Sequence, residues 1–434
     1  MLQIQFSNRF ERLQEALLAA LATPPESPFA REEIIVPSAA MKRRIELAAA
    51  DRFGICSNVQ FSFLAQWLWR QIGHAVAVSE ISPFTTPVLT WRVLGIFREQ
   101  AFVAEHPPLA GYLRSADEVM RYELAARTAA LLEHYLTYRP DWLVSWLAGK
   151  PARIANLDAA RAADERWQGE LWRRIARDLG TDSRHPSVVF FDAMKEMGPD
   201  APARAGLPAA AHVFCLPTTP PLYLDILHRL AQWIDLRLYV LNPCREYWFE
   251  IVDPKRLSWL AAKQRAGHHE IGNRLLAAWG KQTQAYIDLL LQDGSPAVID
   301  DADFVPSEGT TLLAQMQDAI LDMRDLARGS VARADDDRSI EVHVCHSLAR
   351  ELEVLQDQLL ALFAGDRPPR PSDILVVTPD LDAAAPLIDA LFGSWDAGFL
   401  QQLDRPRTGL RFAERQVRAD GFDELATDGV ERVQ

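Results

Sequence analysis

The alternation of apolar and polar residues along the chain predicts two groups of β-strands. One group lies within the first 40 residues and the other begins after residue 210, and segments with helical spacing separate most of their members. The predicted strands are Leu2 to Phe6, Glu33 to Val36, His212 to Leu216, Leu236 to Leu241, Ile340 to Cys345 and Ile374 to Val377.

Two segments have the order strand, helix, strand. In the first, the strand 212–216 leads through a proline-rich linker into a helix over 222–233 and then into the strand 235–241. In the second, the strand 339–345 is followed by Ser347, a candidate N-cap, and by a helix whose leucines recur every three or four residues. Both orders favour parallel strands joined by right-handed crossovers.

Between these groups the pattern is almost entirely helical and is rich in Trp, Leu, Ala and Arg. The predicted fold class is therefore α/β, with a parallel sheet and a large all-helical insertion. We expect the insertion to cover residues 76–204, and the α/β domain to be discontinuous, with residues 1–75 plus 205–394.

The turn after the second predicted strand has an unusual composition. Proteins that bind nucleotides place glycines at such a turn, so that backbone N–H groups can approach a phosphate. The segment Pro37 to Arg44 has no glycine, and carries Lys42, Arg43 and Arg44 at the start of the predicted helix. Cations in a first helical turn are disfavoured by about 0.3–1 kcal/mol each, so the pattern breaks a local rule at an anion-binding position.

Composition excludes several classes of protein. The 434 residues are 49% hydrophobic with a formal net charge of −13, which argues against non-specific coating of nucleic acid. Neither a signal peptide nor an apolar run of membrane-spanning length is present, and a cytoplasmic location is expected. The four cysteines are scattered, and we expect them to be reduced and buried.

Motifs for catalysis are missing from the sequence. The two Gly-Lys pairs, Gly149-Lys150 and Gly280-Lys281, lack the first glycine and the Ser or Thr of a P-loop. No zinc-like spacing or metal-dependent nuclease arrangement joins the carboxylates, and His268-His269 is interpreted as a surface pair. We expect neither an ATPase site nor another catalytic or metal site.

Two interpretations of the cations Lys42, Arg43 and Arg44 remain open. They are either a solvated helix face, with Lys42 paired to Glu46 four residues on, or contacts to a nucleic-acid backbone. Trp67 and Trp69 follow, and aromatic side chains beside cations are typical of single-strand binding, although tryptophan at this spacing is more often core.

Several longer segments resemble one family, the gamma subunit (RecC) of exodeoxyribonuclease V. They occur in the order of the family and extend to about residue 394. The segments are Met1 to Phe10, Phe53-Gly54-Ile55, Tyr138 to Trp142, Trp167 to Trp172, Pro220 to Leu224, Asn242 to Trp248, Gly272 to Lys281 and His343 to Ser347.

The resemblance implies a non-catalytic subunit of the helicase-nuclease that resects double-strand breaks for recombinational repair. Its fold would be that of a superfamily 1 helicase whose ATP site is lost, with residues 1–75 and 205–394 as a 1A-like domain and 76–204 as a 1B-like insertion. Its partners would be the beta and alpha subunits and the 3′ single strand of DNA. No cofactor is expected in this subunit, because ATP and Mg²⁺ belong to the other two.

The family also implies a strand-scanning site that reads an octamer, Chi. Carried over by position, the expected DNA-binding residues are Lys42, Arg43, Arg44, Phe63, Trp69, Leu131, Glu133, His134 and Arg139. The family pattern is not kept at Pro37, Ala39, Arg43, Ala130 and Pro186, where polar or charged side chains are expected. The residues at these positions therefore indicate binding to the phosphate backbone more than recognition of the Chi octamer.

The last segment, 395–434, resembles nothing in the family, whose members are more than twice as long. We expect it to be irregular, as a frameshift or a premature stop would produce. Two alternatives stay open. The chain could be an inert truncated fragment, or an autonomous α/β nuclease or NTPase, which the missing motifs disfavour.

Overall fold

The computed structural model describes residues 1–393 except 24–30, 77–82, 153, 155–157, 181–185, 199, 253, 263–268, 292–296, 300–302 and 328. The predicted tail 395–434 lies outside these residues. The strands are β1 (Leu2–Ser7), β2 (Glu32–Ile35), β3 (Val59–Ser62), β4 (Ala210–Phe214), β5 (Asp235–Leu241) and β6 (Ala297–Ile299).

Helices connect the strands and form most of the chain between β3 and β4. The first nine are α1 (Phe10–Leu21), α2 (Ala39–Phe53), α3 (Leu64–Ala75), α4 (Thr86–Phe97), α5 (Gln100–Glu105), α6 (Pro107–Leu113), α7 (Glu118–Tyr138), α8 (Pro140–Leu147) and α9 (Ala159–Leu179). The others are α10 (Pro186–Met197), α11 (Ala201–Ala205), α12 (Pro221–Leu230), α13 (Pro254–Ala262), α14 (Arg274–Trp279), α15 (Lys281–Leu290), α16 (Leu312–Leu321), α17 (Leu348–Phe363) and α18 (Leu381–Phe392).

The described strands form one parallel sheet in the order β3-β2-β4-β5-β1-β6. β1 lies between β5 and β6, with Leu2 opposite both Leu236 and Ala297. The unit β4-α12-β5 has the parallel pairing predicted from its pattern, and the α/β class is confirmed. All strands run the same way, so the turns that follow β1 to β5 meet at one edge, which we call the carboxyl edge.

The two faces of the sheet bury different side chains. Leu2, Ile4 and Phe6 point to the larger core, which α3, α12 and α15 cover with Trp67, Leu227 and Ile287 among others. On the other face, Leu13 and Leu17 of α1 and Ile45 of α2 pack with Phe214 and Tyr239. This alternation of direction along each strand is what the period-two pattern encodes.

The helices α4 to α9 have a core of their own. Leu89 and Val93 of α4 pack against Ala125 and Leu132 of α7, and Trp172 of α9 completes the cluster. A helical block therefore lies between β3 and β4, as predicted. Its predicted limits, 76 and 204, stay predictions.

Two predicted strands are wrong. Residues 340–345 and 374–377 form no strand, and Val344 and Leu375 are 95% and 86% exposed. Within the described residues no neighbouring strand offers them backbone partners, and an apolar pattern alone cannot supply one. Conversely, β3 and β6 were not predicted, because β6 has only three residues and only one of the four residues of β3 is buried.

Contacts group the chain into two units. Among the described residues, one unit holds 1–310 and 314–332, and the other holds 311–313 and 333–393. In the second unit, Leu352 and Leu359 of α17 pack with Ile388 of α18. Ser347 caps α17 as predicted, since its hydroxyl accepts a hydrogen bond from the N–H of Arg350 at 3.3 Å.

The cysteines are all free, but only two match the prediction of burial. Cys215 and Cys244 are buried, whereas Cys56 and Cys345 are half-buried. Burial raises the pKa of Cys215 to about 12, because the thiolate would lose its hydration. Among the described helices, none is both long and apolar enough to cross a bilayer.

Candidate nucleic-acid interface

The turn between β2 and α2 is built around a serine cap. The Ser38 hydroxyl accepts a hydrogen bond from the N–H of Met41 at 3.2 Å, and α2 begins at Ala39. Lys42 therefore lies at the fourth helical position and Arg43 and Arg44 follow it, whereas the sequence pattern predicted all three cations in the first turn. The macrodipole acts mainly within the first turn, so this placement avoids most of the expected penalty.

Lys42 and Arg43 project from α2 with only loose partners. Each has a nitrogen 3.9 Å from a carboxylate oxygen of Glu46, which is the pairing predicted for Lys42. The Arg43 side chain is 70% exposed. Exposed pairs at this distance contribute about 0–1 kcal/mol, so a phosphate could displace Glu46 at little cost.

Arg44 lies on a different side of the helix. Its Nε donates to the Gln14 side-chain oxygen at 3.1 Å, and its guanidinium lies 5.9 Å from the ring centre of Phe10. Both partners belong to α1. The structure thus separates the predicted triad into two loosely held cations and one that links α2 to α1.

Phe63 lies beside this turn. The strands β2 and β3 are neighbours, and the N–H of Val36 donates to the carbonyl of Ser62 at 3.0 Å. Phe63, which follows Ser62, is the N-cap residue of α3 and is half-buried. Trp69 is also half-buried and packs against the larger core, while Trp67 is fully buried. Of the two tryptophans, Trp67 is core, and Trp69 divides its surface between core and solvent.

The carboxyl-terminal half of α7 carries the remaining predicted residues. Leu131 is 39% exposed, and His134 and Arg139 are exposed as well. This helix packs on α12, which in turn packs on α3. The structure therefore links α7 to α3 through α12.

Glu133 has a structural role in this geometry. One carboxylate oxygen accepts from the N–H of Thr86 at 3.0 Å and also from the Thr86 hydroxyl. These bonds satisfy the start of α4, whose N-cap Thr85 forms no side-chain cap of its own. Among the predicted DNA-binding residues, Glu133 is thus engaged by the protein itself.

Two tyrosines near this site were not predicted. Tyr138, the last residue of α7, is 48% exposed, and its ring centre lies 5.7 Å from that of His134. Burial raises the pKa of Tyr223 on α12, and the nearby Tyr138 and Glu133 raise it further. Tyr138 could have been found, because it precedes Arg139 in a segment that the resemblance singles out.

Other segments that carry the resemblance are structural. The Asn242 side-chain oxygen accepts from the N–H of Cys244 at 3.2 Å and from the indole of Trp248 at 3.1 Å. Asn273 caps α14 and donates to the carbonyl of Arg324 at 2.7 Å. The first two bonds are internal to the loop after β5, and the bond of Asn273 joins the start of α14 to the segment that follows α16.

The described residues contain no group of three or more His, Cys, Asp or Glu side chains that could hold a metal ion. The candidate site offers cations for phosphate and half-exposed rings for bases.

Comparison with known proteins agrees with the resemblance seen in the sequence. The model of the RecC N-terminal domain family matches residues 2–323. The RecBCD enzyme subunit RecC of Escherichia coli is 30% identical over 91% of this chain and 38% of its own length. The subunit of the same name from Haemophilus influenzae is 29% identical over 90% of this chain and 39% of its own length.

A more distant relative is the RecBCD enzyme subunit RecC of Mycolicibacterium smegmatis, which is 28% identical over 91% of this chain and 35% of its own length. The chain thus spans less than two fifths of the length of these relatives. The family match covers most of the described residues, including the sheet, the helical block and the candidate interface. The chain belongs to the RecC family.

Proposed function

We propose that this chain is a non-catalytic, DNA-binding subunit of a RecBCD-type helicase-nuclease, exodeoxyribonuclease V. It contacts the 3′ single strand while double-strand breaks are resected for recombinational repair. Its partners are the beta and alpha subunits, which supply the ATP-dependent and Mg²⁺-dependent chemistry. The relatives named above are subunits of the RecBCD enzyme by name, and that supports the assignment.

One observation carries the DNA-binding part of the proposal. Lys42 and Arg43 on α2 follow strand β2, and Phe63, the N-cap residue of α3, follows the neighbouring strand β3. Both turns lie at the carboxyl edge, where parallel sheets bind ligands. Lys42 and Arg43 hold their shared carboxylate only loosely. A glycine-free turn with loosely paired cations suits the backbone of a DNA strand better than a nucleotide. We also infer a superfamily 1 helicase-like fold in which the turn after β2 contacts the DNA strand and forms no ATP site.

The test is the binding of a fluorescent oligo-dT strand in low salt, followed by anisotropy. We expect the combined change Lys42→Ala, Arg43→Ala and Arg139→Ala to weaken binding at least 10-fold. Each phosphate contact contributes about 0.7 to the salt dependence of single-strand binding, so three lost contacts lower that slope by about 2.

A second triple variant controls for the loss of charge. Arg161, Arg274 and Arg338 are exposed cations on elements other than α2, α3 and α7, and each pairs with a carboxylate. Changing these three to alanine removes the same charge and should leave affinity within about 2-fold. Equal effects of the two triples would overturn the proposed interface.

Assembly is tested separately by co-expression with the beta and alpha subunits. Co-purification of all three is the expected result. An inert fragment would fail both this test and the binding test. ATP hydrolysis or metal-dependent cleavage by the isolated chain, abolished by a point mutation, would instead support an autonomous enzyme.

A further inference from the structure

The end of α7 carries two tyrosines in opposite environments. Tyr135 is half-buried, with its ring 5.2 Å from Trp142 and 5.7 Å from Trp146, and its hydroxyl donates to Gln168 at 3.1 Å. Tyr138, three residues on, is 48% exposed, and its hydroxyl has no hydrogen-bond partner among the described residues. Tyr135 is explained by packing, whereas Tyr138 contributes little to the core.

The exposed ring of Tyr138 is not alone. The His134 ring lies one turn earlier on the same helix, with the centres 5.7 Å apart and the planes inclined by 36°. That separation lies within the range of direct aromatic contact. The two rings thus form one exposed surface, and Leu131, 39% exposed, extends it by a further turn.

A cation adjoins this surface. Arg139 is the C-cap residue of α7, and its backbone N–H donates to the carbonyl of Tyr135 at 2.8 Å. Its guanidinium lies 5.6 Å from the ring centre of Trp142, and no carboxylate pairs with it among the described residues. An arginine oriented by an aromatic ring and free of acidic partners is available to a phosphate.

Aromatic rings beside an available cation have the composition of a single-strand binding site. Every base presents a flat π-face, so stacking on tyrosine or histidine does not depend on sequence. The neighbouring phosphate then meets the guanidinium. An apolar protein partner would leave the charge of Arg139 unpaired, which favours nucleic acid as the ligand.

We propose that Tyr138, together with His134, is a stacking platform for one base of the bound single strand, with Arg139 on the adjacent phosphate. This inference rests on the proposed DNA-binding function and adds a contact to it. Tyr138 acts through its ring and not through its hydroxyl. The platform therefore binds without selecting a sequence.

The experiment compares two probes, oligo-dT and an abasic strand of the same length, in low salt. For Tyr138→Ala we expect affinity for oligo-dT to fall about 10-fold, in line with the loss of one stacked base. Affinity for the abasic strand should not change, and the salt dependence should stay that of the unsubstituted chain. Arg139→Ala should show the converse pattern, with a smaller salt slope and weaker binding of both probes.

Tyr122 supplies the matched control. It lies on the same helix, about 24 Å away at 1.5 Å per residue, and is 43% exposed. Tyr122→Ala removes an equally exposed ring and should leave both affinities unchanged. Tyr138→Phe should bind like the unsubstituted chain, while Tyr138→Leu, which keeps apolar bulk, should lose binding as alanine does.

The outcomes separate this inference from the proposed function. If the triple charge variant weakens binding but Tyr138→Ala and Tyr138→Leu do not, the platform is refuted and the interface stands. The same conclusion follows if Tyr138→Ala weakens both probes equally, because the ring would then act through the fold. If the triple charge variant has no effect on binding, the proposed DNA-binding function is refuted, and the stacking platform that rests on it is refuted as well.

Discussion

At the scale of single residues, Gly280 shows how tightly the loop after α14 is packed. A Cβ atom there would lie 2.6 Å from the carbonyl oxygen of Leu276 and 2.7 Å from a ring carbon of Trp248. The backbone of Gly280 is otherwise ordinary, with φ of −78°. Its requirement for glycine is therefore one of space and not of conformation.

We expect Gly280→Ala to lower the free energy of unfolding by about 1–3 kcal/mol, because backbone and indole must both move. The measurement is urea unfolding followed by tryptophan fluorescence. Gly73→Ala is the control, since Gly73 lies within α3 and a Cβ there would meet nothing within 4 Å. That change should be neutral or slightly stabilising. Equal effects at both positions would contradict the packing argument.

The candidate site shows what single residues can reveal without a structure. Lys42 and Arg43 were identifiable because charge at a strand-to-helix turn is visible in sequence, and so was the pairing with Glu46. The environment of Arg44 was not, because Gln14 and Phe10 are brought to it only by the packing of α1 on α2. The residue type predicts which ligands a side chain can bind. Whether the side chain is free to bind them depends on neighbours that are distant in sequence.

At the scale of elements, the start of α4 depends on a residue of α7. Glu133 bonds the N–H and hydroxyl of Thr86, so it acts as a helix cap supplied from another helix. Its carboxylate was predicted to contact DNA. A helix cap and a DNA contact predict different effects when the Glu133 side chain is removed.

For Glu133→Ala we expect a loss of about 0.5–2 kcal/mol in the free energy of unfolding, the usual cost of losing a cap. Affinity for oligo-dT should stay within about 2-fold of the unsubstituted chain. Urea unfolding and anisotropy measure the two quantities on the same sample. A large fall in DNA affinity with unchanged stability would return Glu133 to the strand interface.

Elements were predictable from sequence where burial enforces a pattern. β1, β2, β4 and β5 are strands with buried positions, and each was found. The segment 341–345 has an equally good pattern, yet Val342 and Val344 are 83% and 95% exposed. A strand requires a neighbour, and hydrophobic periodicity reports only the preference of one segment.

At the scale of the whole molecule, the second unit exposes two apolar segments, one within 340–345 and one within 374–377. Val342, Val344, Leu375 and Val377 are each more than 80% exposed. A segment with exposed apolar side chains and no strand partner is a template for pairing with another chain. Charges on such a segment oppose that pairing.

We therefore expect the isolated chain to self-associate as its concentration rises, and the pair Val344→Lys and Leu375→Lys to reduce that association. Sedimentation velocity over a range of concentrations measures it. The pair Val119→Lys and Val144→Lys is the control, because it places the same two charges on apolar residues of α7 and α8 that are each 66% exposed. If the paired variant and the control sediment alike, these segments do not drive association.

The position of β1 inside the sheet has a consequence for synthesis. Leu2 pairs with Leu236 and Ala297, so the first strand has no neighbour until more than 230 further residues exist. At roughly 5–20 residues per second, a ribosome needs on the order of 10–50 s to supply β5. β2 and β3, only about 30 residues apart, can pair long before that. Throughout this interval Leu2, Ile4 and Phe6 stay uncovered on the nascent chain, which makes β1 the segment that a chaperone has most reason to hold.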